Sequence, residues 1–181
     1  ALAERAAIDV AEVILVSGPT NLRISNPNIQ VIEVTSAEEM FNACQELYDA
    51  IDICILSAAV ADYKPIEVAQ QKIKKSGDLM QIALTKTHDI AAELGKLKSN
   101  HQLNIGFALE TENESANAIA KLENKNFDLV VLNSLNYIGS GFSYDTNKIT
   151  IIDKHNNSTV FELKNKAEVA QDIINAIINV K

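Results

Sequence analysis

The sequence predicts an α/β domain: a mostly parallel sheet flanked by helices, with an inserted β-flap and a C-terminal β-hairpin that leads into a last helix. Three observations predict it. Apolar runs of strand length alternate with helix-length stretches whose apolar residues fall on one face. One connection, about residues 60–86, does not read as a crossover helix, because Pro65 restricts its start and Ser76-Gly77-Asp78 marks a hairpin-like turn inside it. Beyond residue 147, two short runs flank His155-Asn156-Asn157 before a final helical pattern. With 181 residues, no internal repeat and no low-complexity tract, the chain reads as one domain with one core.

Taken in order, residues 1–7 read as the tail of a helix. Glu12 to Val16 is a buried strand that ends at Ser17-Gly18-Pro19, a loop signal. Gln30 to Val34 alternates like a short strand. Either Thr35 or Ser36 can cap the helix that follows to about Asp49, with Met40, Cys44 and Leu47 on its inner face. Residues 52–58 form the central strand, whose Ile53 to Leu56 run has the composition of a fully buried strand. The flap follows, with Lys72 to Lys75 and Leu79 to Thr85 as its arms. Residues 89–98 are helical, started by Thr87 or His88. Asn104 to Ala108 is a strand, and residues 112–124 are a helix with Ala116, Ile119, Ala120 and Leu122 as apolar positions. Asp128 to Leu132 is a buried strand, followed by a glycine-bearing loop over Asn136 to Phe142. Lys148 to Asp153 and Thr159 to Leu163 form the hairpin, and Lys166 to Val180 is a helix with Val169, Ile173, Ile174, Ile177 and Ile178 on one face.

Composition narrows the function classes. A net charge of −8 argues against a broad nucleic-acid surface. Positive charge is nevertheless concentrated, with seven of the sixteen basic residues between Lys64 and Lys98, an arrangement that can focus a small anion into a cleft. No window approaches the roughly 18 apolar residues of a membrane span, and the charged start lacks the apolar core of a signal peptide. Cys44 and Cys54 read as reduced, buried thiols of a cytoplasmic protein.

Open α/β sheets bind ligands beyond the carboxyl ends of their strands. The candidate loops are therefore Ser17 to Pro19, Ser57 to Asp62, Phe107 to Thr111, and Asn133 onward. Asp62 can hold Mg²⁺ or accept hydrogen bonds from a base or sugar; it can equally cap its own turn. Lys72 and Lys74, on one face of a flap strand, can meet phosphates or simply keep an edge strand solvated. Lys121 and Lys125 lie one helical turn apart and read as surface residues. His88 can shuttle a proton or be an ordinary polar group at a helix start. Glu110 and Glu112 can contact a nucleotide or metal, or cap the next helix. No P-loop, paired CxxC or GxGxxG is present, and the six glycines are scattered singly.

Four stretches carry more: SAAVADYKP from Ser57, KIKKSGD from Lys72, GFALETEN from Gly106 and FDLVVLNS from Phe127. With them the chain closely resembles phosphopantothenoylcysteine synthetase, the synthetase half of the bifunctional coenzyme A flavoprotein of bacteria. The likeness runs from SGPTNL at Ser17 to the end of GFSYDTNKITIID at Asp153. It implies a Rossmann-like, cytoplasmic, homodimeric ligase that joins 4′-phosphopantothenate to L-cysteine with CTP and Mg²⁺. The carboxylate is first activated as an acyl-cytidylate, which the cysteine amine then displaces. On the matching positions, Leu56, Ser57 and Ala58 lie against the nucleotide, Asp62 contacts it, and Lys72 of the KxKK motif serves phosphate binding and catalysis. Phe107 packs by the cytosine, and Lys121 and Lys125 are further nucleotide-binding lysines. His88, Asp89, Ile90 and Ala91 match a nucleotide loop that has Asn-Pro before Asp-Ile where this chain has Thr87-His88. The resemblance assigns no metal ligand.

The resemblance also implies a glycine-rich strand, loop and catalytic asparagine ahead of the part matched here, and a fused or associated flavin-dependent decarboxylase domain. The flap and Val160 to Leu163 are the candidate contact edges of a homodimer. Two rival readings are a nucleotide-binding fragment without ligase activity and a Rossmann-type oxidoreductase; the lack of GxGxxG counts against the second.

Overall fold

The computed structural model describes residues 1–9, 12–74, 77–134, 136–137, 139–140 and 144–180. Lys75, Ser76 of the predicted flap turn, and Ile138, Gly141 and Phe142 of the predicted glycine-bearing loop lie outside the described residues. The elements run α1 (Leu2–Asp9), β1 (Val13–Ser17), β2 (Ile29–Glu33), α2 (Ala37–Tyr48), β3 (Ile53–Leu56), β4 (Tyr63–Pro65), β5 (Leu84–Lys86), α3 (Ile90–Leu97) and β6 (Leu103–Glu110). They continue with α4 (Glu114–Asn124), β7 (Leu129–Ser134), β8 (Thr146–Asn147), β9 (Ile149–Asp153), β10 (Ser158–Val160), β11 (Lys164–Asn165) and α5 (Lys166–Ile178).

The main sheet has the order β10-β9-β7-β6-β3. β3, β6 and β7 are parallel, Ile55 facing Ile105 and Ile105 facing Leu129, while β9 and β10 add antiparallel strands at one edge. The mixed α/β, mostly parallel architecture is the predicted one. β1 and β2 form a separate parallel ladder. Among the described residues no ladder joins β1 to β3, and a cavity of about 640 Å³ lies between them. This corrects the expectation of a fully buried strand at residues 53–56. β1 and β3 are apolar yet half-buried throughout, because each is paired on one edge only.

The core has two faces. On one, Ile105, Val131, Ile149 and Ile151 pack against Val169, Ile173, Ile174 and Ile177 of α5, with Ala6 of α1. On the other, Val130, Leu132 and Ile152 pack against Ala118 and Leu122 of α4 and against Phe127. Alternate residues of one strand thus serve opposite faces, as the pleat requires. Ile178 departs from the predicted face and is exposed. On α4 the buried alanine is Ala118, one turn before the buried Leu122, whereas Ala116 and Ala120, each two residues from Ala118, fall on the opposite face and are exposed.

A polar network buttresses the amino ends of β6 and β7. The Tyr48 hydroxyl donates to Asn104 Oδ1 at 2.9 Å, and Asp128 Oδ2 accepts from the Asn104 backbone N–H at 2.7 Å. Lys98 Nζ sits 2.6 Å from the same Asp128 oxygen, both side chains nearly buried at 11% and 7% exposure. Two glycines permit close approaches that a side chain would block. A Cβ at Gly106 would lie 1.9 Å from the Phe127 ring, and one at Gly95 would lie 2.3 Å from the Lys125 carbonyl oxygen. Among the described residues no helix is long and apolar enough to cross a membrane.

Candidate functional site

The cavity between the two ladders continues to the carboxyl ends of β3 and β6, and there it meets the residues singled out in the sequence. Leu56 ends β3, and Ser57, Ala58 and Asp62 follow it along the wall. His88, Asp89, Ile90 and Ala91 enter from the start of α3; Phe107 enters from β6, and Lys121 and Lys125 from α4. Eleven of the twelve predicted site residues therefore line one cavity. Lys72 does not line it.

The flap is less regular than predicted. Among its described residues only Tyr63–Pro65 and Leu84–Lys86 pair, antiparallel, with Tyr63 opposite Lys86. Lys72 and Lys74 are exposed and lie in no strand, so the expected alternation of lysines along a strand arm is not found. Apolar side chains are spread through this insertion, and Leu79 is 92% exposed. Three-residue strands bury too little to order a longer hairpin. Gly77 has φ +75°, the left-handed conformation glycine supplies at turns.

The base of the flap is held firmly. Thr87 donates its amide to the Asp62 carbonyl at 2.9 Å and its hydroxyl to the Ala61 carbonyl at 2.6 Å. The His88 ring stacks on Phe41, with centroids 4.5 Å apart and planes 8° from parallel. Lys64 pairs with Glu38, whose carboxyl it holds below its usual range through their hydrogen bond. Thr87 and His88 thus fix this loop by hydrogen bonding and stacking, where the resembled family has a proline ring.

Asp89, rather than Thr87 or His88, caps α3, accepting from the Ala92 amide at 3.1 Å. Its carboxylate also receives Lys125 Nζ at 3.1 Å. Burial works to raise the Asp89 carboxyl, but the Ala92 amide and Lys125 outweigh it and hold the group below its usual range. One turn along α4, Lys121 Nζ lies 2.6 Å from Glu110 Oε1. That contact, ahead of the Asn117 amide on Oε2 at 3.0 Å, holds the Glu110 carboxyl low. Lys121 and Lys125 are therefore ion-paired cavity residues, not the free surface lysines their spacing suggested. Neither Glu110 nor Glu112 caps α4. Its N-cap is Asn113, at φ 48°, with no side-chain cap bond.

Sequence reasoning missed the partners that hold these groups. Glu38, Phe41, Asn117 and Glu114 carry no motif signal. Glu114 ties the loop after β7 to α4 by accepting from the Ser134 hydroxyl at 2.6 Å and from Asn136 Nδ2 at 2.8 Å. Both thiols line the cavity, and burial raises Cys54 to about 12. For a metal, the described residues contain no group of three or more His, Cys, Asp or Glu side chains placed to hold one.

The model of a family described as the DNA/pantothenate metabolism flavoprotein C-terminal domain matches residues 1–180. A protein named cysteine/cysteine sulfinic acid decarboxylase, from an unknown prokaryotic organism, is 54% identical over 98% of this chain and 50% of its own length. The coenzyme A biosynthesis bifunctional protein CoaBC of Haemophilus influenzae is 42% identical over 98% of this chain and 44% of its own. The chain thus spans about half the length of these relatives. Among solved structures, the C-terminal domain of a coenzyme A biosynthesis bifunctional protein CoaBC superposes with a TM-score of 0.79 at 38% identity. That match covers 97% of this chain and 79% of the other.

Proposed function

The chain belongs to the DNA/pantothenate metabolism flavoprotein C-terminal domain family, and on that premise we propose that it is a synthetase domain joining 4′-phosphopantothenate to L-cysteine with CTP, in coenzyme A biosynthesis. The observation that carries this reading is the convergence of Leu56 to Ala58, Asp62, His88 to Ala91, Phe107, Lys121 and Lys125 on one cavity. Two ammonium groups at its rim suit a polyphosphate, the half-buried Phe107 offers an apolar wall for a base, and the backbone of residues 57–58 allows close approach.

In the first step a carboxylate oxygen of phosphopantothenate bonds to the α-phosphorus of CTP. The bridging P–O bond breaks and pyrophosphate leaves. In the second, the cysteine nitrogen bonds to the activated carbonyl carbon, CMP departs and the nitrogen gives up a proton. The chain's contribution is to hold reactants in line and to offset charge. Lys121 and Lys125 hold the nucleotide, Asp62 contacts it, and Lys72, carried on the exposed flap, meets the phosphates when the flap closes. Mg²⁺ in this reading arrives with the phosphates and takes few protein ligands.

The same reading makes the protein cytoplasmic and homodimeric. Support for the dimer comes from the exposed edge strand β10, where Val160 is 63% exposed, and from the apolar flap. A flavin-dependent decarboxylase domain is a fused or associated partner in this reading. A decarboxylase activity for this domain itself rests on the name of the relative from an unknown prokaryotic organism, whereas nearly the whole of this chain also matches a little under half of each of two CoaBC proteins. The test is product formation from 4′-phosphopantothenate, cysteine and CTP. The polypeptide carrying this domain with its glycine-rich strand should release CMP and pyrophosphate in equal amounts. It should release neither when 4′-phosphopantothenate is left out, and CMP release that does not depend on that substrate would contradict the reading.

A further inference from the structure

Glu110 ends β6 beside the cavity but does not line it, while Lys121 does. The carboxylate is only 15% exposed and is held from two directions. Its Oε1 lies 2.6 Å from Lys121 Nζ, and its Oε2 accepts from Asn117 Nδ2 at 3.0 Å. Asn117 is itself anchored, because the same nitrogen donates to the Glu112 carbonyl at 2.9 Å. Asn117 and Lys121 are one helical turn apart, so one carboxylate engages two successive positions on a single face of α4.

Lysine has a flexible stem whose ammonium, left to itself, samples many rotamers. Here the tip is confined by a carboxylate whose own orientation is fixed by a second donor. Lys125 has an analogous anchor in Asp89, but that residue also caps α3 and lines the cavity. Of the two side chains that hold Glu110, Lys121 lines the cavity and Asn117 does not. We infer that Glu110 is a positioning residue: it sets the Lys121 ammonium at the cavity rim, with Asn117 fixing the carboxylate that does so. The inference rests on the proposed nucleotide site and adds to it the group that holds one of its lysines in place.

The test is a double-mutant cycle on the 181-residue chain, read by calorimetric titration with CTP and Mg²⁺. Glu110→Gln keeps an acceptor for Asn117 and removes the charge that holds Lys121. It should weaken CTP binding at least about threefold in the wild-type background, and by almost nothing once Lys121→Met is present. Losses that simply add, or no loss at all, overturn the proposal. So does tighter binding, which would mean that Glu110 only repels phosphate. Should Glu110→Gln not fold, Asn117→Ala is read in the same cycle, with the same non-additive outcome expected. A wild-type chain that binds no CTP removes the nucleotide reading itself, and with it this proposal; binding with additive losses removes this proposal alone.

Discussion

Lys125 Nζ lies 3.1 Å from Asp89 Oδ2, so the residue that closes α4 is tied to the residue that caps α3 across the mouth of the cavity. The carboxylate does two things at once: it satisfies a free amide of the first turn and it places an ammonium. Asp89→Ala should lower unfolding stability by about 1 kcal/mol through loss of the cap and should weaken CTP binding. Asp89→Asn, which can still cap, should retain most of the stability and lose binding. Urea melts and titrations on both variants check this, and equal losses of stability would contradict the division of roles.

Lys98 and Asp128 form a nearly buried pair whose shared oxygen also accepts from the Asn104 backbone N–H. Removing one partner leaves a buried charge without compensation, which costs about 3–5 kcal/mol. Asp128→Ala should therefore shift the urea midpoint strongly, and Lys98→Met in the same chain should recover part of the loss. A midpoint near the wild-type value would show that solvent reaches the pair.

Ser36 and Glu39 form a capping box at the start of α2, and the Thr35 amide, foremost, holds the Glu39 carboxyl below its ordinary 4.5. Because the folded value is depressed, the contribution is fully present above about 4.5 and is lost as pH falls through the folded value. Glu39→Gln should accordingly narrow its stability deficit against the wild type as pH drops from 5 to 3. A deficit that stays constant over that interval would contradict the assignment.

Lys72 is exposed on the flap and outside the cavity, so its proposed role depends on the flap closing over bound substrates. Lys72→Gln in the polypeptide with its glycine-rich strand should cut CMP release by roughly 100-fold or more, with little effect on the melting temperature. Unchanged turnover would make Lys72 ordinary flap surface.

Much of this was legible in the sequence. The alternation of β6, α4 and β7 followed from periodicity, since both faces of the strands and one face of each helix are buried. Ser36 was one of two caps that local chemistry allowed. Long-range relationships were not legible. The half-burial of β3 depends on what pairs with its second edge, and nothing in Ile53-Cys54-Ile55-Leu56 records that. The Lys98–Asp128 pair joins residues on different elements, and the Glu110–Lys121 pair depends on how β6 and α4 pack. The flap misled because residues of strand composition extend far beyond the three pairs that form. Motif resemblance gathered the cavity residues, while periodicity alone had left Lys121 and Lys125 on the surface.

The central claim is that the carboxyl ends of β3 and β6 hold a nucleoside triphosphate. Calorimetric titration of the 181-residue chain with CTP and Mg²⁺, beside NADH, tests it most directly. The account predicts saturable CTP binding that weakens in Lys121→Met and Lys125→Met, with no heat from NADH. Saturable NADH binding with CTP silent would contradict it.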